Sequence, residues 1–474
     1  MVNFGLIDEW QPRTGRLTIW SASPQSVSEA EQAPVHPTPP SHQQEEYLRT
    51  AARKADSDVR PSRLYVGTFD QPTPLEHAAM TTSINNFLRR HDTHLSWFSH
   101  ESDGRIQRHV VDPLVVDFIP RDHGIVSDPE YIRDLIQAQT PSPFEWDCFT
   151  FGTIEHDDGF TMYAAIDHLH SDPMSQAVSL VDAMALYTHA VENTEIGLKE
   201  PGSYIDYCER ERTASAQLTL DSPPIQKWIE LVRDNGGHLP TFPLNLGPES
   251  AARSAHLTAD LFDEADAVIL GRICRDSRAG FIAAILAVAA LASHEFTGSN
   301  SYLGITPKST RTTPAEFGAV GWFTSLIPVP VTFDETSTFR SVVRQAQTAY
   351  VAGRKLSDVS FHRVLELAGA DSGIHTRPGW SVPMVSVMDT RRLPGVAAFE
   401  SINARFYGNR GTSEEVYVWV NRFVDKTSMS LLFPDTPQAR ASVDIYVDRV
   451  RQIFKTVIAE GDYTPADHRH PVSP

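Results

Sequence analysis

The chain has 474 residues, 41% hydrophobic and 21% charged, and its 41 Lys and Arg against 60 Asp and Glu leave a formal charge of -19. With no Lys/Arg run, that balance excludes a nucleic-acid-binding role, because a phosphate backbone needs a basic face. Three widely spaced cysteines, Cys148, Cys208 and Cys274, offer neither a disulfide framework nor a Cys-x-x-Cys metal site, so a reducing cytoplasm is expected.

The opening MVNFGLIDEW lacks the basic-then-apolar order of a secretory leader and is expected to stay on the protein. Residues 21 to 41, rich in Pro, Ser and Ala, read as an extended lead-in, after which Ser41 caps a helix through SHQQEEYLRTAARK. A strand is predicted over Arg63 to Phe69. A helix follows over Pro74 to Arg90, with Leu75, Met80, Ile84 and Leu88 on its apolar side, and Arg105 to Phe118 is strand-like. Phe149 to Ile154 and Phe160 to Asp167 flank HDDG, a hairpin signal, since Asp-Gly permits positive φ. In FTMYAAID, Phe160, Met162, Ala164 and Ile166 alternate with Thr161, Tyr163 and Asp167, as a half-buried strand requires. The helix that follows carries Met174, Ala177, Val178, Val181, Met184 and Ala185 at three- and four-residue steps and closes near Tyr187.

Between Cys208 and Pro243 the turn-rich stretches LTLDSPPIQKW and NGGHLPTFPLNLGPES read as surface or linker structure, and two domains are expected, 1-215 and 216-474. The second half repeats the mixture of helices and strands. Helices are predicted over Ala265 to Cys274, Phe281 to Ala292, Phe339 to Ala352 and Ala439 to Ala459. Strands are predicted over Tyr302 to Thr306, Trp322 to Val331 and Met384 to Met388, with EEVYVWVNRF pairing with Met429 to Phe433. The apolar run at 279–292 falls short of the roughly 20 residues that span a bilayer and reads as a buried helix. TPADHRHPVSP is a polar tail.

The stretch with most chemistry is Asp167-His168-Leu169-His170-Ser171-Asp172-Pro173, where the strand ends and the helix begins. Pro173 suits a first helical position and Asp172 the cap before it, so capping alone would account for that Asp. The lesser alternative for His168 is a satisfied core or turn histidine. The same His-x-x-x-Asp spacing recurs at His256 and Asp260 in a chain of 19 histidines, where no comparable strand precedes it and an acidic helix follows; that copy reads as accidental. A rival reading takes His168, His170 and Asp172 as zinc ligands of a metallo-β-lactamase-type hydrolase. Pro173 stands where its next histidine would be, and no downstream ligand set stands out.

Several segments in this order resemble the condensation-domain superfamily of acyltransferases, in its polyketide-associated (Pap) branch from mycobacteria and relatives. They are SHQQ at 41–44, LRRHDTHLSWF at 88–98, the hairpin WDCFTFGTIEHDDGFTMYAAIDHLHSD, TPKSTRTTPAEFGAVGWFTSLIPVPV at 306–331, VYVWVNRF and LLFPDTP. The likeness covers about residues 5 to 455. Two departures stand out: Asp167 occupies a place where many members carry a histidine, and the family's Asp-Phe-Gly-Trp-Gly element has at best an eroded counterpart in Phe406-Tyr407-Gly408. The resemblance implies an α/β (α+β) fold of two chloramphenicol-acetyltransferase-like subdomains, a V-shaped pseudo-dimer with the active site in the channel between them.

It also implies O-acyl transfer from a thioester, either acyl-CoA or an acyl chain on a carrier protein or polyketide synthase. The acceptor would be a hydroxyl of a sugar or glycolipid, with trehalose the favoured type. His168 would be the general base, and Asp172 with Arg311 would brace the turn. Trp322, Thr324 and His170 would border the substrate channel, although core packing is the stronger reading for Trp322. No metal and no resident cofactor are expected, the donor's phosphopantetheine arm entering as co-substrate. No covalent acyl-enzyme is expected either, since no Gly-x-Ser-x-Gly elbow is present. A cytoplasmic monomer working near the inner membrane face completes the expectation. A catalytically silent, carrier- or lipid-binding module is the remaining alternative.

Overall fold

A computed structural model describes residues 3–55, 63–195, 197–248, 252–369, 372–376 and 380–465. The chain forms two compact units. Unit 1 comprises Met1–Ala216, Arg311–Phe323 and Arg392–Gly411, and unit 2 comprises Gln217–Thr310, Thr324–Arg391 and Thr412–Pro474. The expected division at residue 215 therefore needs a correction: two later segments return to the first unit, one of them carrying Arg311 and Trp322.

The strands in chain order are β1 (Asn3–Leu6), β2 (Gly15–Ala22), β3 (Leu64–Gln71), β4 (Ser96–His100), β5 (Ile106–Val110), β6 (Phe118–Val126), β7 (Phe149–His156) and β8 (Gly159–Asp167). They continue with β9 (Ala252–Asp263), β10 (Ser301–Ser309), β11 (Thr324–Thr332), β12 (Val385–Asp389), β13 (Arg405–Gly408), β14 (Thr412–Ser413), β15 (Tyr417–Arg422) and β16 (Lys426–Pro434). Unit 1 is built on a seven-stranded sheet in the order β1-β13-β3-β8-β7-β2-β6, with β4 and β5 as a separate ribbon. Thus β8 is central, and Thr161 and Tyr163, expected on an exposed face, are buried with Phe160 and Met162. Gly159 turns the β7–β8 hairpin at φ 146, where a Cβ would lie 2.0 Å from the Gln71 carbonyl oxygen. A side chain there would break the approach of β8 to β3.

Unit 2 carries a five-stranded sheet in the order β12-β15-β16-β9-β14 and the hairpin β10-β11. Its core centres on the helix Phe281–Thr297, in which every residue from Ala283 to Ala292 is buried, packed with the helices Phe339–Arg354 and Pro437–Glu460. Burial all round is what an unbroken apolar run demands, each large aliphatic side chain contributing about 1.5–3 kcal/mol. No single helix among the described residues is long and apolar enough to cross a membrane.

Several local expectations change. The lead-in at 21–41 contains a helix, Pro24–Glu31, whose cap Ser23 accepts from Ser26 N. The turn-rich region after Cys208 holds the helices Tyr204–Ala216 and Pro223–Asp234, the latter burying Ile225, Trp228, Ile229 and Val232. Pro223 made that helix look like loop, although proline suits a first turn. Arg105 to Phe118 is not one strand: β5 ends at Val110 and β6 starts at Phe118. The helix expected from Pro74 begins at His77. His256 and Asp260 lie within β9, which runs directly into the expected acidic helix, Glu264–Asp276. Phe406-Tyr407-Gly408 forms β13, paired with β1 and β3. All but the first two residues of the polar tail lie outside the described residues.

Candidate active site

β8 delivers His168 into a single 3-10 turn, His168–His170. The turn is pinned at its start, where His168 N donates to the Arg63 carbonyl at 2.7 Å. Asp167 closes it from below, its Oδ1 accepting from Leu169 N and from the Tyr47 hydroxyl, each at 2.9 Å. Asp167, which stands where many family members carry a histidine, thus holds the turn, as a short acidic side chain at an N-cap does.

Asp172 caps the next helix, Pro173–Glu192, through Oδ1 and Ser175 N at 2.8 Å. Its Oδ2 accepts from Arg311 Nη1 at 2.6 Å and from Phe323 N at 3.0 Å. Arg311 further donates to the Ser175 hydroxyl at 2.7 Å and to the carbonyls of Glu316 at 2.9 Å and Ala319 at 3.2 Å, with its guanidinium 4.3 Å from the centre of the Phe323 ring. Arg311 is therefore no solvated loop charge. Its side chain is 0% exposed and that of Asp172 3%. A buried pair survives only when its remaining hydrogen-bonding capacity is also met, and here it is. Ser175 adds a second tie, donating to the Gly321 carbonyl at 2.7 Å and accepting from Gly321 N at 3.0 Å. Gly321 is required there, since a Cβ would sit 2.3 Å from Tyr204 Cδ2.

His168 itself stands half-buried among three rings, with centroids 4.1 Å away at Trp322, 4.7 Å at Tyr65 and 6.3 Å at Tyr47. Its Nε2 lies 2.9 Å from the Tyr65 hydroxyl. Desolvation pushes the imidazole pKa down to about 3, and the Arg63 charge adds to this against the opposing pull of its own backbone and Asp172. The ring is therefore neutral at physiological pH. Beside it a cavity of about 40 Å³ is lined by Tyr65, Ser171, Gln176, Phe69, Ile166 and Phe406.

Trp322, 7% exposed, packs on the His168 ring and edge-on to Tyr47 at 5.6 Å, so core packing and contact with His168 are both true of it. His170 is not at a channel mouth. It is fully buried, its Nδ1 3.0 Å from Thr93 Oγ1 and its ring beside His94 and Phe149, and burial, with Arg108, pushes its pKa down to about 3. Thr324, the first residue of β11, belongs to unit 2, where it pairs with Ser309. Among the described residues, His168, His170 and Asp172 are not a group whose ligand atoms converge. They turn to Tyr65, Thr93 and Arg311 respectively, which overturns the zinc reading. Tyr47, Tyr65 and Ser175 escaped the sequence reading, because only strand register and the return of a distant loop bring them to the turn.

Residues 67–373 match the condensation domain family. The chain is 35% identical over 467 residues to "Acyltransferase PapA3" of Mycobacterium tuberculosis, covering 97% of this chain and 98% of that one. It is 37% identical over 466 residues to the "2'-acyl-2-O-sulfo-trehalose (hydroxy)phthioceranyltransferase PapA1" of the same species, covering 97% and 89%. Against "Trehalose-2-sulfate acyltransferase PapA2" it is 36% identical over 459 residues, covering 96% and 97%. The solved structure titled "PapA2 acyl transferase" superposes with a TM-score of 0.90 at 35% identity, over 96% of this chain and 99% of that one. The first condensation domain of the calcium-dependent antibiotic synthetase superposes at 0.68 with 16% identity over 91% of this chain, a likeness of fold alone. The chain belongs to the condensation-domain superfamily, in its polyketide-associated branch, and is an acyltransferase.

Proposed function

We propose that this acyltransferase moves a fatty or polyketide acyl group from a thioester to a hydroxyl of a trehalose-type sugar or glycolipid, with His168 as the general base. The observation that carries the reading is the placement of His168 at the strand end, with Nε2 at a hydroxyl while the turn behind it is clamped by Asp172 and Arg311. A neutral imidazole can take the acceptor's proton as its oxygen attacks the thioester carbonyl, a contribution worth about 10²–10⁴ in rate. Asp172 does not face the ring as a partner; both its oxygens are spent on the helix cap, Arg311 and Phe323. Its role is to keep the turn, and so Nε2, in place.

The sugar acceptor is inferred from the relatives, whose names specify trehalose-2-sulfate and acylated sulfo-trehalose. The donor is a coenzyme A or carrier-bound thioester whose phosphopantetheine arm enters as co-substrate. Direct transfer without an acyl-enzyme is in keeping with the cysteines: all three are buried, and burial pushes the thiols of Cys208 and Cys274 up to about 11. Thiols so placed are poor nucleophiles.

Mass spectrometry of products from a panel of acyl thioesters and sugar acceptors tests this reading. The wild-type protein should form an acylated sugar, and His168→Ala should lower kcat by about 10²–10⁴ without loss of the fold. An acylated product formed equally by His168→Ala would refute the base assignment. Turnover only with acceptors that are not sugars would refute the acceptor.

A further inference from the structure

We propose that Tyr65 is a second catalytic residue, whose hydroxyl passes the acceptor's proton to His168. This deepens, and rests on, the reading of His168 as the base. The Tyr65 oxygen lies 2.9 Å from Nε2, close enough that one of the two atoms must donate. Burial pushes the phenol above its ordinary pKa and the imidazole far below its own, so the phenol keeps its proton and the ring nitrogen keeps a lone pair. In the tautomer that a base requires, with the lone pair on Nε2, Tyr65 O–H donates and Nε2 accepts. The nitrogen that has to receive the acceptor's proton is already occupied, and what occupies it is a hydroxyl able both to give a proton and to take one.

The placement follows from the β-ladder rather than from a mobile loop. Tyr65 pairs with Ile166 and Leu64 with Asp167 across β3 and β8, and the Arg63 carbonyl fixes His168 N at 2.7 Å, so neighbouring rungs hold the two rings. Tyr65, Ser171 and Gln176 border a cavity of about 40 Å³, a volume with room for a group the size of a hydroxyl.

The step balances as follows. The acceptor's O–H donates to the Tyr65 oxygen while the acceptor oxygen bonds to the thioester carbonyl carbon. As that O–H breaks, Tyr65 gains its proton and gives its original one to Nε2. The tetrahedral oxyanion then re-forms its C=O, the C–S bond breaks, and the imidazolium proton returns along the same path to the thiolate, leaving ester and thiol.

The test compares wild type, Tyr65→Phe and His168→Ala in the thioester and sugar panel, each with its melting curve. Tyr65→Phe keeps the ring and removes only the oxygen. A fall in kcat of about 10- to 100-fold, with KM for both substrates within twofold, is the expected result. The ¹⁵N resonance of His168 Nε2 should also move downfield, toward an unbonded imine nitrogen, a change that altered packing alone would not produce. Unchanged or raised kcat overturns the proposal, because the base then takes the proton directly; so does a change confined to KM, or an unmoved Nε2 resonance. Full activity in His168→Ala would overturn the base itself whatever Tyr65→Phe shows, and no turnover by wild type across the panel would overturn both readings.

Discussion

The chain holds two copies of one spacing, and they have opposite fates. His168 and Asp172 straddle a strand end and a helix start, and the Asp side chain is 3% exposed against a guanidinium at 0%. His256 and Asp260 both lie inside β9, where Asp260 is 56% exposed and pairs with Lys426, itself 29% exposed. In the first copy the change of secondary structure separates the two roles: the histidine ends in a turn beside Tyr65, and the carboxylate is carried into the interior to an arginine from a distant segment. In the second, an unbroken strand with period two sends both side chains to one face, where water screens the ion pair. A spacing becomes a site only when the backbone turns between its two residues.

The comparison can be broken in descending order of effect. The largest contrast is in rate. His168→Ala should cost about 10²–10⁴ in kcat, while His256→Ala should leave kcat within twofold in the same product assay. Next comes stability: Asp172→Ala leaves Arg311 buried without its counter-charge and should cost about 3–5 kcal/mol, read as a lowered urea midpoint. A loss below about 1 kcal/mol would mean that the pair is not the brace described.

A smaller contrast is in pH dependence. His94, His168 and His170 all have pKa values depressed by burial, to about 3 for His168 and His170. Between about pH 6.5 and 3 the unfolded chain takes up protons that the folded chain refuses, so stability falls as pH drops through that window and is unaffected by these groups above it. His170→Asn should flatten this acid limb in urea titrations at pH 7, 6 and 5. By the same depression, activity should show no loss from protonation of His168 between pH 7 and 5. The smallest effect belongs to Asp260→Ala, at most about 1 kcal/mol, since its pair with Lys426 is exposed.

Much of this was legible in the chain. Ser41 with Gln44, Asp172 before Pro173, and Asp-Gly in the hairpin are local signals, and each forms the expected cap or turn. Such features depend on a few neighbouring backbone groups, so spacing suffices to read them. The errors lay where local and tertiary terms compete. Pro223 and the surrounding turn residues suggested loop, but a helix face with Ile225, Trp228, Ile229 and Val232 to bury prevailed. His170 looked accessible because histidine in a turn usually is; packing against His94 and Phe149 decided otherwise.

By itself the sequence determined that a histidine would end a strand, that an aspartate would cap the following helix, and that ordered motifs mark an acyltransferase of this superfamily. Only the tertiary structure decided that Asp172 meets Arg311, that Ser175 ties Gly321 to both, and that Tyr65 stands at Nε2. The reason is that each of these contacts joins residues about 100 or more positions apart in the chain. Strand register and the return of the Arg311–Phe323 segment into unit 1 set them, and no local spacing encodes either.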